Sequence, residues 1–151
     1  MITERIYPIL IHIHSGIRWI LLASLIISVL ISLINSLKKS DLSKYGKLFS
    51  LITLISAHIQ LIAGLVLYII SPKVVFSAES MASPILRFYL VEHISAMVLA
   101  IILITVGYTA AKKKMGSIAA AKRIFWYYFF ALILLLALIP WPWMSYGSQW
   151  F

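Results

Sequence analysis

Four long apolar runs divide the chain: 7–37, 48–70, 85–111 and 124–143. A helix that crosses a membrane needs about 20 mostly apolar residues, so each run is long enough. The runs are continuously apolar rather than alternating, which predicts helices and argues against a membrane barrel. The connections are short. The pattern therefore predicts a single domain over residues 1–151: an all-α, four-helix transmembrane bundle with up-down-up-down topology. Polar and small residues recur inside the runs at helical spacing. In the second run, Ser50, Thr53, Ala57, Gln60 and Gly64 make a seam of the kind that lets membrane helices approach and bond. In the third, which begins after Ser83-Pro84, Tyr89, His93, Ala96, Ala100 and Gly107 fall on one face. The fourth starts with Phe125, Trp126, Tyr127 and Tyr128 and ends at Ile139-Pro140-Trp141-Pro142-Trp143. Both aromatic clusters read as interface belts, and the prolines as a helix stop.

Composition supports the membrane reading: 63% of the 151 residues are hydrophobic, and the mean hydropathy is +1.03. The first run does not read as a cleaved signal peptide, because it is too long and no small-residue cleavage site precedes the basic segment.

The formal net charge of +9 raises the question of nucleic acid. Its distribution argues for a lipid bilayer instead. Lys38, Lys39, Lys44 and Lys47 fall in the first connection, and Lys112, Lys113, Lys114, Lys122 and Arg123 in the third. The second has only Lys73, offset by Glu79. This is the positive-inside pattern. It predicts cytoplasmic first and third loops and both termini on the outer, periplasmic side.

The chain has no cysteine. Thiolate ligands, cysteine-ligated clusters and covalent c-type haem attachment are therefore excluded within it. No P-loop, dinucleotide fingerprint or nucleophile elbow is present.

The four histidines carry the remaining chemistry. Ionisable groups inside a span are costly and commonly serve a ligand, an ion or a proton path. His12 and His14 are two apart, so they point about 200° from each other on a helix. His14 shares a face with Arg18, which favours His14 as the inward one. His58 lies beside the small-residue seam, and His93 lies among small residues on its own face. Helical rise puts His14 about 10 Å, His93 about 13 Å and His58 about 15 Å below the outer boundary. Glu92 is the one acidic residue inside a run, with Arg18 and Arg87 as candidate partners.

Two site geometries follow. A b-type haem would take two of the imidazoles as axial ligands, with Arg18 and Arg87 balancing its propionates. Alternatively, a copper or zinc ion would take three imidazoles with Glu92. A third reading treats the polar groups as packing contacts of an accessory subunit in a larger membrane complex.

His14-Ser15-Gly16-Ile17-Arg18-Trp19, Ala57-His58-Ile59-Gln60-Leu61, Arg87 to His93 and Ile139 to Trp143 resemble a family of small bacterial membrane proteins generally labelled cytochrome b. The resemblance covers nearly the whole chain. It implies a four-helix b-type cytochrome of the bacterial inner membrane, with His14, His58 and His93 as candidate ligands of haem iron.

The expected function is single-electron transfer through haem b, linked to the quinone pool and to a periplasmic redox partner. A haem-dependent membrane oxidoreductase is the enzymatic form of the same reading. His58 and His93 are the first choice of axial pair, with His14 competing. One haem is favoured over two, Arg18 and Arg87 are propionate partners, and Glu92 is an ion-pair or proton group.

Overall fold

A computed structural model describes residues 2–144, the side chains of 2–4 excepted. The C-terminal tail, for which the sequence predicts an outer location, lies beyond the described residues from 145 onward. The protein is all-α. Among the described residues, four helices are long and apolar enough to cross a membrane. Helix α1 runs Ile2–Leu37 and α2 Lys44–Ile70. Helix α3 spans Pro84–Lys112, and α4 runs Ile118–Leu138.

Local chemistry sets most of the boundaries. Ser43 caps α2 by accepting from the Gly46 N–H at 3.2 Å. Ser83 caps α3 in the same way, with Pro84 at the first helical position where no N–H is needed. Gly116, at φ +92°, turns the chain between α3 and α4 in a conformation open to glycine.

Four boundaries depart from the apolar runs, the first being the start of α1 at Ile2 rather than at 7. Helix α2 begins at Lys44 and α4 at Ile118, because a helix can continue through polar residues beyond the hydrocarbon layer. Lys122 and Arg123 are thus helical rather than in the third loop. Arg123 Nη1 donates to the Ala110 carbonyl at 2.7 Å, which satisfies a group near the end of α3. Helix α4 stops at Leu138, not at 143. Pro140 forces the preceding Ile139 into extended backbone, and the helix cannot pass it.

The helices form a ring: α1 packs on α2 and α4, and α3 packs on α2 and α4. The α1–α2 seam is polar inside an apolar protein. Thr53 Oγ1 donates to Ser24 Oγ at 3.1 Å, and Ser28 Oγ lies 3.5 Å from Thr53 Oγ1. The α3–α4 seam depends on Gly107, where an added Cβ would stand 2.5 Å from Tyr127 Cβ. Tyr128 is fully buried, and its hydroxyl ties α4 to the Ser50 carbonyl of α2 at 2.9 Å. Outward positions such as Ile55, Ile62 and Ile69 on α2 and Leu99 and Ile102 on α3 are exposed and apolar, as a lipid-facing surface requires.

Candidate functional site: a two-histidine cavity

A cavity of about 150 Å³ opens inside the ring at the end that carries the 71–83 loop. Its walls are mostly apolar, with Leu21, Leu61, Met97, Ile104 and Leu135 among them. The polar groups facing it come from three helices and a loop. Helix α1 contributes Tyr7, His14, Ser15 and Arg18; α2 contributes Gln60 and Tyr68; α3 contributes Tyr89 and His93; the loop contributes Ser71 and Lys73.

The seam on α2 explains how His14 fits. Gly64 lies directly under the ring: an added Cβ would be 3.2 Å from His14 Cε1. One turn earlier, Gln60 Nε2 donates to the His14 carbonyl at 2.8 Å and locks the two helices in register. Two polar atoms at this wall are buried without a hydrogen-bond partner among the described residues: His14 Nδ1 and Gln60 Oε1. Buried polar atoms without partners are rare in proteins, and here both belong to residues of one cavity.

His93 is held differently. Its Nδ1 lies 2.8 Å from the Leu138 carbonyl. A carbonyl only accepts, so Nδ1 carries the proton and Nε2 keeps its lone pair. This is the arrangement that orients and fixes the tautomer of metal-bound imidazoles. The acceptor exists because of the prolines. In a continued helix, the carbonyls of Leu136 and Leu138 would accept from residues 140 and 142, which are prolines and have no N–H. The Trp141 indole N–H takes the Leu136 carbonyl at 2.9 Å, and His93 takes that of Leu138. The Pro-Trp-Pro segment therefore acts on the cavity as well as ending the helix.

A π-helical turn, Phe88–Glu92, precedes His93 and is closed by the His93 N–H on the Phe88 carbonyl. Such turns recur at functional sites. This one also reorganises Arg87 and Glu92. Five residues apart, they would diverge on a regular α-helix, but the wider turn brings Arg87 Nε to 2.8 Å from Glu92 Oε1. The pair is two-fifths exposed and lies outside the cavity wall.

The sequence-derived site residues are thus divided. His14, His93 and Arg18 line one cavity. His58 does not join them. It is exposed on the outer side of α2, and its Nδ1 bonds the Leu54 carbonyl of its own helix at 2.8 Å. Similar depth did not mean similar direction. His12 is exposed as well, opposite His14 as the helical angle requires. Arg87 is committed to Glu92, so neither stands where a propionate or an ion at the cavity would need it. Among the described residues, no group of three histidine or acidic side chains converges to hold a metal ion. The three-imidazole geometry with Glu92 does not form.

Two cavity features were not singled out from the sequence. Lys73 reaches the cavity from the loop, and its Nζ sits 4.7 Å over the Tyr89 ring. Tyr7 and Tyr68 line the same end, with the Tyr68 hydroxyl donating to the Leu90 carbonyl at 2.9 Å. The available signal for Lys73 was its isolation in a loop otherwise poor in charge.

The cavity thus brings together two imidazoles, a cationic rim and apolar walls. Comparison with protein-family models, with curated proteins and with solved structures finds no match to this chain.

Proposed function

We propose that the chain is a b-type cytochrome of the bacterial inner membrane, holding one haem b in this cavity and passing single electrons. The observation that carries the reading is the pair His14 and His93, which line one cavity from two helices, with the His93 proton committed to Leu138. The pair is His14 with His93, in place of His58 with His93.

When bound, haem iron supplies a one-electron couple whose potential depends on axial ligands, nearby charge and burial. The residues of the chain have distinct parts. His93 offers Nε2 as a ligand of fixed orientation. His14 offers the second imidazole, its ring bedded on Gly64. Arg18, buried and lining the cavity, would balance propionate charge. The apolar walls would keep water from a bound haem. We place the cavity on the periplasmic side from the basic first and third loops. A haem held there would exchange electrons with the quinone pool and a periplasmic partner.

The test is an optical spectrum of the purified protein, oxidised and then dithionite-reduced, with a pyridine haemochrome assay. The reading expects a low-spin b-type spectrum and close to one haem per chain. Purified protein that carries no haem, after expression with ample haem supply, contradicts it.

A further inference from the structure

Among the described residues, no carboxylate lines the cavity, yet two cations do: Arg18 and Lys73. The acidic residues nearest in sequence are engaged elsewhere. Glu92 pairs with Arg87. Glu79 is exposed in the loop, and backbone and Ser77 hydrogen bonds hold its carboxyl below the usual range. Lys73 forms no ion pair among the described residues. Its Nζ donates to the Tyr89 hydroxyl at 3.3 Å and stacks on that ring. Burial lowers the affinity of its ammonium for a proton. An anion beside it would offset that cost.

The lysine is held in place by the loop. Ser71 caps α2 with its N–H on the Leu67 carbonyl. The Ser71 hydroxyl accepts from the Lys73 N–H at 3.2 Å and meets the Tyr7 hydroxyl at 3.3 Å. Helix α1, the α2 terminus and Lys73 are therefore linked through one serine. Tyr89, the seat of the ammonium, lies about one helical turn before His93 on the same helix. Arg18 approaches the same place. Side chains leave a helix tilted toward its N-terminus, which for α1 is the cavity end, and Arg18 is within electrostatic reach of Tyr89.

We propose that Lys73, seated on Tyr89, recognises carboxylate at the rim of the cavity in addition to Arg18, so that its ligand is a porphyrin with free propionates and not merely a flat apolar macrocycle. This rests on the haem reading of His14 and His93. Lys73 acts from the rim and the imidazoles from within, so metal ligation and carboxylate recognition are separable.

The experiment is a Soret-band titration of the full chain in lipid nanodiscs with haemin and with haemin dimethyl ester. Wild type, K73M and K73R are compared. The proposal expects wild type to bind haemin about tenfold or more tightly than the ester, the scale of one charge-assisted hydrogen bond. K73M should lose most of that preference, Arg18 keeping the remainder, while binding the ester as wild type does, and K73R should keep it. If K73M binds haemin as tightly as wild type, or wild type takes both porphyrins equally, the Lys73 assignment falls and the haem reading stands. If wild type binds neither, both fall.

Discussion

An imidazole whose Nδ1 donates to a carbonyl presents a lone pair on its opposite edge, and the value of that lone pair depends on where the edge points. His93 and His58 both make such a bond, at 2.8 Å in each case. His93 donates across to the end of α4 and lines the cavity; His58 donates back to its own helix and faces outward. Sequence spacing separates His12 from His14, because both are on one helix and 200° is an angle of that helix. It does not separate His58 from His93, because depth along an axis carries no information about rotation around it. Gly64 shows the same limit. A small residue at seam spacing is legible, but what it makes room for is not. Gly64→Leu would push at least two further carbons into the His14 ring. We predict haem content lowered severalfold with helicity retained, measured by pyridine haemochrome and circular dichroism on the same preparation.

Elements supply what single residues cannot. That the prolines end the fourth helix was legible, although the span drawn from the sequence ran to 143 and α4 stops at Leu138; the chemical consequence was not. Prolines remove two donors, and the carbonyls so freed are taken by Trp141 and His93. In the double variant Pro140→Ala, Pro142→Ala, two N–H groups return and α4 can continue. Leu138 then has a competing donor, and His93 loses its fixed proton acceptor. The expected result is a folded protein whose haem band broadens or shifts, read by absorbance and by near-infrared circular dichroism. An unaltered band would show that the His93–Leu138 bond does not tune the site. The π turn of α3 was not legible at all. Apolar periodicity gives no sign of one additional residue in a turn, so the partner of Glu92 stayed open between Arg18 and Arg87. The wider turn decides for Arg87.

At the scale of the molecule, four apolar runs with short connections left little freedom, and the ring of antiparallel helices follows from them. The basic loops lie together at one end of the bundle and the cavity opens at the other. Orientation is therefore a claim about the site. With no native cysteine, single cysteines report it without background. Ala82→Cys should react with a membrane-impermeant maleimide on intact spheroplasts, and Lys114→Cys only after permeabilisation. The reverse pattern would put the cavity on the cytoplasmic side and remove the periplasmic partner from the account. At the centre of the molecule stands the proposed ligand pair, His14 and His93. Reduced-minus-oxidised spectra of His14→Ala, His58→Ala and His93→Ala, recorded as one set at equal protein concentration, test it most directly. Only His58→Ala should keep the low-spin b-type signal of the wild type. Loss of that signal in His58→Ala, or its survival in either His14→Ala or His93→Ala, would contradict that pairing.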